Sequence, residues 1–527
     1  MSTALESPAA PHPLSGALHE RGARGRIGGI LVVAAPSLLA LALCLYQITT
    51  RSLWLDESAT VAIASQHGAA FGSALARDGG NMLAYYALLH VLIGWFGSGP
   101  LLLRLPAAIG TAATVAFVAM LGLRLFSRRV ALVAAVLTAV SLSLVYWGQN
   151  ARGYTPMIAL LTASFLAFLA LLEGRGGWRA WVAYVASMTA AVYLGLEAVL
   201  VVPAQLVALL WFRGRWRTVV SAVIVTAVCC IPLAVLAADR GAGQLFWVPS
   251  PSFSVLKQVV QALSSAALQP SFYTSTTTVL VVLTLLLLAA GALGTWQLAR
   301  TAPGEAWRPA LLLAWLLLPS IVALLESALG QSIFQARYLL LSLPPVSLLL
   351  AWTLIERPAL ARLRIPGLLS VAMLAALFAL RAAQLAPAYG VSSENWRSAT
   401  SYVTARSEPR DCVAFYPLDA RMPFRYYLHN LALAPRPVLP TLPWREVRPF
   451  VEQYQSLSPA QVARLPAQCA RVWLITRRGG GVGGTAISRA NSIRFKRLAG
   501  ELAGAYPASS TAYFGQAGLV AVRLYSR

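Results

Sequence analysis

Eleven apolar stretches, each close to the ~20 residues an α-helix needs to cross a bilayer, leave this chain few architectures. They lie near 27–48, 101–122, 130–148, 155–172, 179–194, 197–212, 218–237, 277–297, 310–327, 338–355 and 366–386. In lipid every backbone polar group must be satisfied within the protein, which restricts spanning segments to helices or closed barrels. Hydrophobic residues make up 58% and charged residues 11% of the 527 positions, against about 25% charged in soluble domains. The chain therefore reads as an α-helical polytopic membrane protein with about eleven transmembrane helices. The fifth and sixth stretches are short and divided only by "LGLE"; fused into one element, they would reverse everything downstream.

Charge sets the orientation. The net charge is +24, and lysine occurs only at Lys257 and Lys496, so nearly all of it is arginine. In a soluble protein such a surplus would suggest nucleic acid, but no nucleic-acid motif is present, and the positive-inside bias of membrane proteins accounts for it. With a cytoplasmic N-terminus, the short turns "RLFSRR", "EGRGGWR", "RGRWR", "LARTAPGEAWR" and "ERPALARLR" all fall inside. Residues 1–26 then form a cytoplasmic tail ending in Arg21, Arg24 and Arg26, ahead of a first span that reads as a retained signal anchor. Segments 51–100, 149–154, 238–276, 328–337 and everything after 387 lie outside. Within the first of these, "SATVAIASQHGAAFGSALA" has the apolar spacing of an interfacial helix lying on the membrane surface.

From 391 to 527 the pattern changes. Helix-like "NWRSATSYVTAR" alternates with strand-like "CVAFYP" and "ARVWLIT", and "STAYFG" with "LVAVRLYS" reads as a hairpin. The organisation is thus a tail (1–26), a membrane domain (27–390) with large outer loops at 51–100 and 238–276, and an extracytoplasmic α/β domain (391–527). "RRGGGVGGT" lacks the Gly-Lys-Ser/Thr ending of a phosphate loop and reads as a flexible linker. Cys44, Cys229 and Cys230 fall in spans; Cys412 and Cys469 share the outer domain, where a disulfide and two free thiols both stay open.

Arginines on the inner face need no explanation, whereas Arg51, Arg104, Arg152 and Arg337 sit on the outer face near span ends. A guanidinium there is costly without an anion. The outer carboxylates of the membrane half are Asp56, Glu57, Asp78, Glu197, Asp239 and Glu326. Two readings follow: internal ion pairs, or arginines that hold an anionic lipid headgroup beside a carboxylate that does acid/base work.

Four stretches in this order, "LWLDES", "AYYALLHVLIGWFGSGPLLLRLPAA", "GQNARGYTPMIALL" and "ARYLLLSLPPVSLLLAW", with a weaker fifth, "ENWRSATSYV", carry a likeness over most of 27–410. The chain resembles the GT-C superfamily of membrane glycosyltransferases, in particular the family 39 and dolichyl-phosphate-mannose-type group, whose relatives include protein O-mannosyltransferases and lipid A aminoarabinose transferases. The resemblance implies a GT-C fold, a polyprenyl-phosphate-linked sugar donor, and a glycan, lipid or protein acceptor. Transfer would take place with inversion at the outer face of the cytoplasmic membrane. It casts Asp56 as general base with Glu57 beside it, Arg152 and Arg337 on the leaving phosphate, and Arg104 and Tyr338 as helpers. Partial burial and Glu57 would both raise the pKa of Asp56. Tyr85, Tyr86, Asn81, Gln149, Asn150 and Glu197 would line the sugar or lipid pocket.

Relatives often carry His or an acid where this chain has Asn81, a carboxylate at Asn150, and Thr-His-Tyr where it reads Leu194-Gly195-Leu196 before Glu197. No cofactor is implied with certainty; these losses weaken the case for a divalent metal without closing it. Two rivals from other classes are a polyprenyl-lipid flippase and a non-catalytic envelope scaffold.

Overall fold

The runs of Leu, Ala and Val form long helices, and small residues decide how closely these approach. The structure is a computed structural model that describes residues 14–241, 245, 248–266, 276–356, 358–428, 435–437, 456–477 and 486–527. The first thirteen residues of the expected tail, the glycine-rich run 478–485 and parts of the 238–276 loop lie outside the described residues.

Helix α1 (Leu14–Leu45) extends back into the expected tail. The first outer loop holds α2 (Leu55–Ala64), α3 (Gly68–Arg77) and α4 (Leu83–Phe96). Then come α5 (Pro100–Leu125), α6 (Arg128–Ala139), α7 (Leu142–Gly148), α8 (Tyr154–Leu172), α9 (Gly177–Leu194), α10 (Val202–Val207), α11 (Trp216–Cys229) and α12 (Ile231–Arg240). The second half of the body is α13 (Phe253–Leu263), α14 (Thr277–Thr301), α15 (Trp307–Leu329), α16 (Leu343–Ile355), α17 (Pro358–Arg362) and α18 (Gly367–Tyr389).

Each expected stretch falls on helical residues, but not each is one continuous helix. Among the described residues seven helices are long and apolar enough to cross a membrane, or nine if each of two bent pairs is one span. Stretch 130–148 bends by 56° between α6 and α7, and 218–237 bends by 50° between α11 and α12. The second bend falls where Pro232 opens α12, a position proline favours because its missing N–H has no partner there. Stretch 197–212 is a 3-10 turn (Leu196–Val201), α10 and a second 3-10 turn. Helix α5 sits centrally, packed on α1, α6 and α8. It crosses α8 at Gly110, where a Cβ would lie 2.5 Å from the Pro156 nitrogen.

The single interfacial helix expected in the first outer loop is two helices. The chain is extended at His67 and takes a positive φ of 52° at Gly68, which ends the helical path between α2 and α3. Helix α2 is largely buried and packs on α4 and on the C-terminal part of the chain, so it is a protein-core element rather than one lying on the membrane surface.

Beyond Tyr389 the chain builds α19 (Trp396–Thr404), α20 (Arg421–Tyr427), α21 (Pro459–Gln468) and α22 (Ala486–Ala505) around a five-stranded sheet. Its strands are β1 (Cys412–Tyr416), β2 (Arg436–Pro437), β3 (Arg471–Arg477), β4 (Ala508–Phe514) and β5 (Val520–Ser526), ordered β2-β1-β3-β5-β4. Strand β1 runs parallel to β2 and β3, while β5 is antiparallel to β3 and β4, as the hairpin reading requires. Cys412 and Cys469 form a disulfide with Cα atoms 5.6 Å apart.

Candidate active site

The first-loop carboxylates sit in the opening turn of α2, and successive helical positions point in different directions. Asp56 and Glu57 therefore part company at once. Glu57 is 0% exposed and takes both Nε and Nη2 of Arg104 at 2.7 Å, with the Ala151 amide donating to it at 2.8 Å. Arg104 also donates to the carbonyls of Ile48 and Arg51. These two expected site residues neutralise each other in the core, and the pair ties α2, α5 and the α7–α8 turn together.

Asp56 faces outward and pairs with Arg337, Nη1 to Oδ2 at 3.0 Å, across 281 residues of sequence. Both side chains keep some solvent access, 25% and 17%. The expectation that burial and Glu57 would raise the Asp56 pKa is overturned. Burial does push it up, but Arg337, Arg152 and Arg477 outweigh burial and hold the carboxyl below its ordinary value. Glu57 is paired with Arg104 instead.

Arg152, in the turn before α8, is buried and donates to Thr60 Oγ1 at 3.2 Å and to the Tyr86 hydroxyl at 3.3 Å. Thr60 in turn donates to the Asp56 carbonyl at 2.9 Å. Among the described residues Arg152 makes no salt bridge, and its Nε has no partner. Tyr154 and Tyr338 lie beneath the two guanidiniums, 5.9 Å from Arg152 and 5.4 Å from Arg337. Glu197, at the start of the 3-10 turn after α9, lies within electrostatic reach of both arginines, and its Oε1 is buried without a partner among the described residues.

The remaining expected residues divide. Asn150 accepts from the Trp54 indole at 2.8 Å and so borders the site. Asn81 is half-buried in the turn before α4. Tyr86 belongs to the Arg152 cluster, whereas Tyr85 donates to the Leu103 carbonyl inside the core. Gln149 accepts from Arg51 at 3.0 Å and donates to the Cys44 and Tyr46 carbonyls, a packing role. Among the described residues no three His, Cys, Asp or Glu side chains come together as metal ligands would.

Sequence reasoning missed Thr60, whose signal is helical spacing: it lies one turn beyond Asp56 on the same face of α2. It also missed Arg477 and Glu394. Glu394 accepts from the Leu55 amide at 3.0 Å and from Arg477 at 2.6 Å, which brings β3 to the first turn of α2. No local pattern announces that meeting.

Residues 78–238, which hold Asp78, Arg152 and Glu197, match the family model of dolichyl-phosphate-mannose-protein mannosyltransferase. No curated protein matches the sequence itself. The fold is similar to ArnT from Cupriavidus metallidurans in the apo state, 15% identical, with a TM-score of 0.57 over 95% of this chain and 98% of that one. The chain shares the fold of that protein. The same ArnT bound to undecaprenyl phosphate matches at 14% identity and TM-score 0.53, over 94% of this chain and 97% of that one. The Archaeoglobus fulgidus oligosaccharyltransferase tethered with an acceptor peptide matches at 13% and 0.51, over 86% of this chain and 69% of that one.

Proposed function

We propose that this enzyme transfers a sugar from a polyprenyl-phosphate donor to a glycan, lipid or protein acceptor, with inversion. One observation carries the reading: a buried guanidinium without an ion-pair partner among the described residues, Arg152, lies beside the Asp56–Arg337 pair. A cation in that state has no carboxylate in direct contact, and a phosphate held in its guanidinium fork supplies an anion that is. The undecaprenyl phosphate bound by the similar ArnT supports a lipid carrier for that phosphate.

The Asp56–Arg337 ion pair is a latch. When the donor phosphate binds Arg152 and draws Arg337 onto itself, Asp56 loses the partner that lowers its pKa and becomes a better proton acceptor. The acceptor oxygen then attacks the anomeric carbon while Asp56 takes its proton. The bond from that carbon to the phosphate oxygen breaks, and the lipid phosphate leaves as an anion stabilised by the two arginines, without protonation. Glu57 and Arg104 position α2 and take no part in the chemistry. The site belongs at the outer face of the cytoplasmic membrane, with the N-terminus inside and the domain from 391 outside, in keeping with the basic inner turns.

Lipid-linked sugar profiling of a deletion strain tests the proposal. A polyprenyl-phosphate sugar is expected to accumulate, and to clear with the wild-type gene but not with Asp56→Asn. An unchanged lipid-linked pool would overturn it.

A further inference from the structure

The turn between α3 and α4, "RDGGNM", is held in a strained form. Gly79 and Gly80 take φ of 67° and 70°, and Met82 takes 54°, a left-handed conformation that non-glycine residues seldom adopt. A Cβ on Gly80 would meet Leu233 of α12 at 2.5 Å, so α12 is packed hard against the turn. Strain of this kind persists only where the surroundings over-determine it, and it clusters at ligand sites.

The turn carries Asp78, which is 6% exposed. The Tyr86 hydroxyl, which accepts from Arg152, also interacts with the Asp78 side chain. Oδ2 of Asp78 is buried and has no hydrogen-bond partner among the described residues. A carboxylate kept only to cap α3 or to fasten Tyr86 would not leave one oxygen dry and unmet, because that costs the group its hydration without return. The charged and titratable groups facing it are Arg152 from the α7–α8 turn, Tyr86 from α4, Asp56 from α2 and Arg240 from α12. Asp78 and Asp56 thus flank Arg152, Asp78 deep and Asp56 partly open. On the donor reading, the open side is left to the acceptor and the deep side to the sugar whose phosphate Arg152 holds.

We propose that Asp78 is the sugar-recognition residue of this enzyme, its free oxygen accepting a hydrogen bond from a ring hydroxyl of the donor's sugar. The inference rests on the donor reading above. It places sugar selectivity in the first outer loop, next to the phosphate site, and leaves acceptor choice to the surface around Asp56 and Arg477.

The experiment measures binding of full-length protein to bare undecaprenyl phosphate and to undecaprenyl phosphate carrying mannose, glucose, galactose or arabinose. Wild type is expected to bind at least one sugar-bearing lipid more tightly than the bare one. Asp78→Ala should erase that gain, about a tenfold to hundredfold loss, and Asp78→Asn should keep part of it. Both variants should bind the bare lipid as wild type does, which also reports that they fold. If Asp78→Ala does not fold, Asp78→Asn is still expected to weaken the sugar gain alone. A gain that survives all these variants, or no gain for any of the four sugars, overturns the assignment. Wild type that binds no lipid at all overturns the donor reading instead.

Discussion

Two neighbouring carboxylates with opposite fates make the residue scale the most testable. Asp56→Asn removes a proton acceptor used only in the transition state. Turnover in a reconstituted transfer assay should fall about 10²–10⁴-fold while donor binding survives. Arg152→Ala should weaken donor binding by about 1.5–3 kcal/mol, and lysine there should restore only part, since it keeps the charge and loses the fork. Glu57→Gln is expected to act on stability instead, leaving Arg104 charged and unpaired in the core at a cost of about 3–5 kcal/mol; a stable but inactive Glu57→Gln would show that Glu57 is chemical after all. Asp78 adds a pH signature. Burial, helped by Asp56 and opposed by Arg152 and the Tyr86 hydrogen bond, pushes its carboxyl up to about 7, against about 3.9 in an unfolded chain. Between those values the unfolded state ionises first, so this group lowers stability as pH rises from about 4 to 7. Asp78→Asn should therefore melt higher than the parent at pH 8, by at most about 4 kcal/mol, and lose that advantage near pH 4. The outer-face arginines and acids were visible in the sequence as charges in an unaffordable place. Which acid meets which arginine was not visible, because Asp56 and Glu57 differ by one helical step and their partners lie 281 and 47 residues away.

At the scale of elements, hydropathy located the apolar stretches because bilayer length leaves little freedom. It could not locate the bends, which depend on local backbone geometry that leaves average hydropathy unchanged. The strands of the C-terminal sheet were legible for a related reason: β1 and β3 are buried along their length and read as continuous apolar runs. The α2–α3 break was not, since the apolar pattern stays periodic while the backbone turns extended at His67 and takes a positive φ at Gly68. Close approach of helices is a further element-scale claim. A methyl group at Gly110 would collide with the backbone of α8 rather than with a side chain that could swing aside. Gly110→Ala should cost about 1–3 kcal/mol, as overpacking does, and lower the melting temperature in detergent. An unchanged melt would mean that α5 and α8 separate freely.

The whole molecule is tied together at the first outer loop. The Leu53 amide donates to the Tyr427 hydroxyl at 2.7 Å, Tyr426 donates to the Ser98 carbonyl at 2.8 Å, and Arg397 donates to the Thr49 and Thr50 carbonyls. If this face is extracytoplasmic, a cysteine at the exposed Tyr513 should react with a membrane-impermeant maleimide in intact cells, and one at Arg308 should not. Labelling in the reverse pattern would invert the topology. The Glu394 clamp has a consequence in time as well as space. Its carboxylate holds the first turn of α2 to Arg477, and Asp56 and Arg477 are about 420 residues apart in the chain. At ~5–20 residues per second of synthesis the first must wait roughly 20–85 s for the second to emerge. The nascent membrane segment thus passes most of its birth with the loop that carries Asp56 unfastened, and the clamp closes only once β3 has emerged.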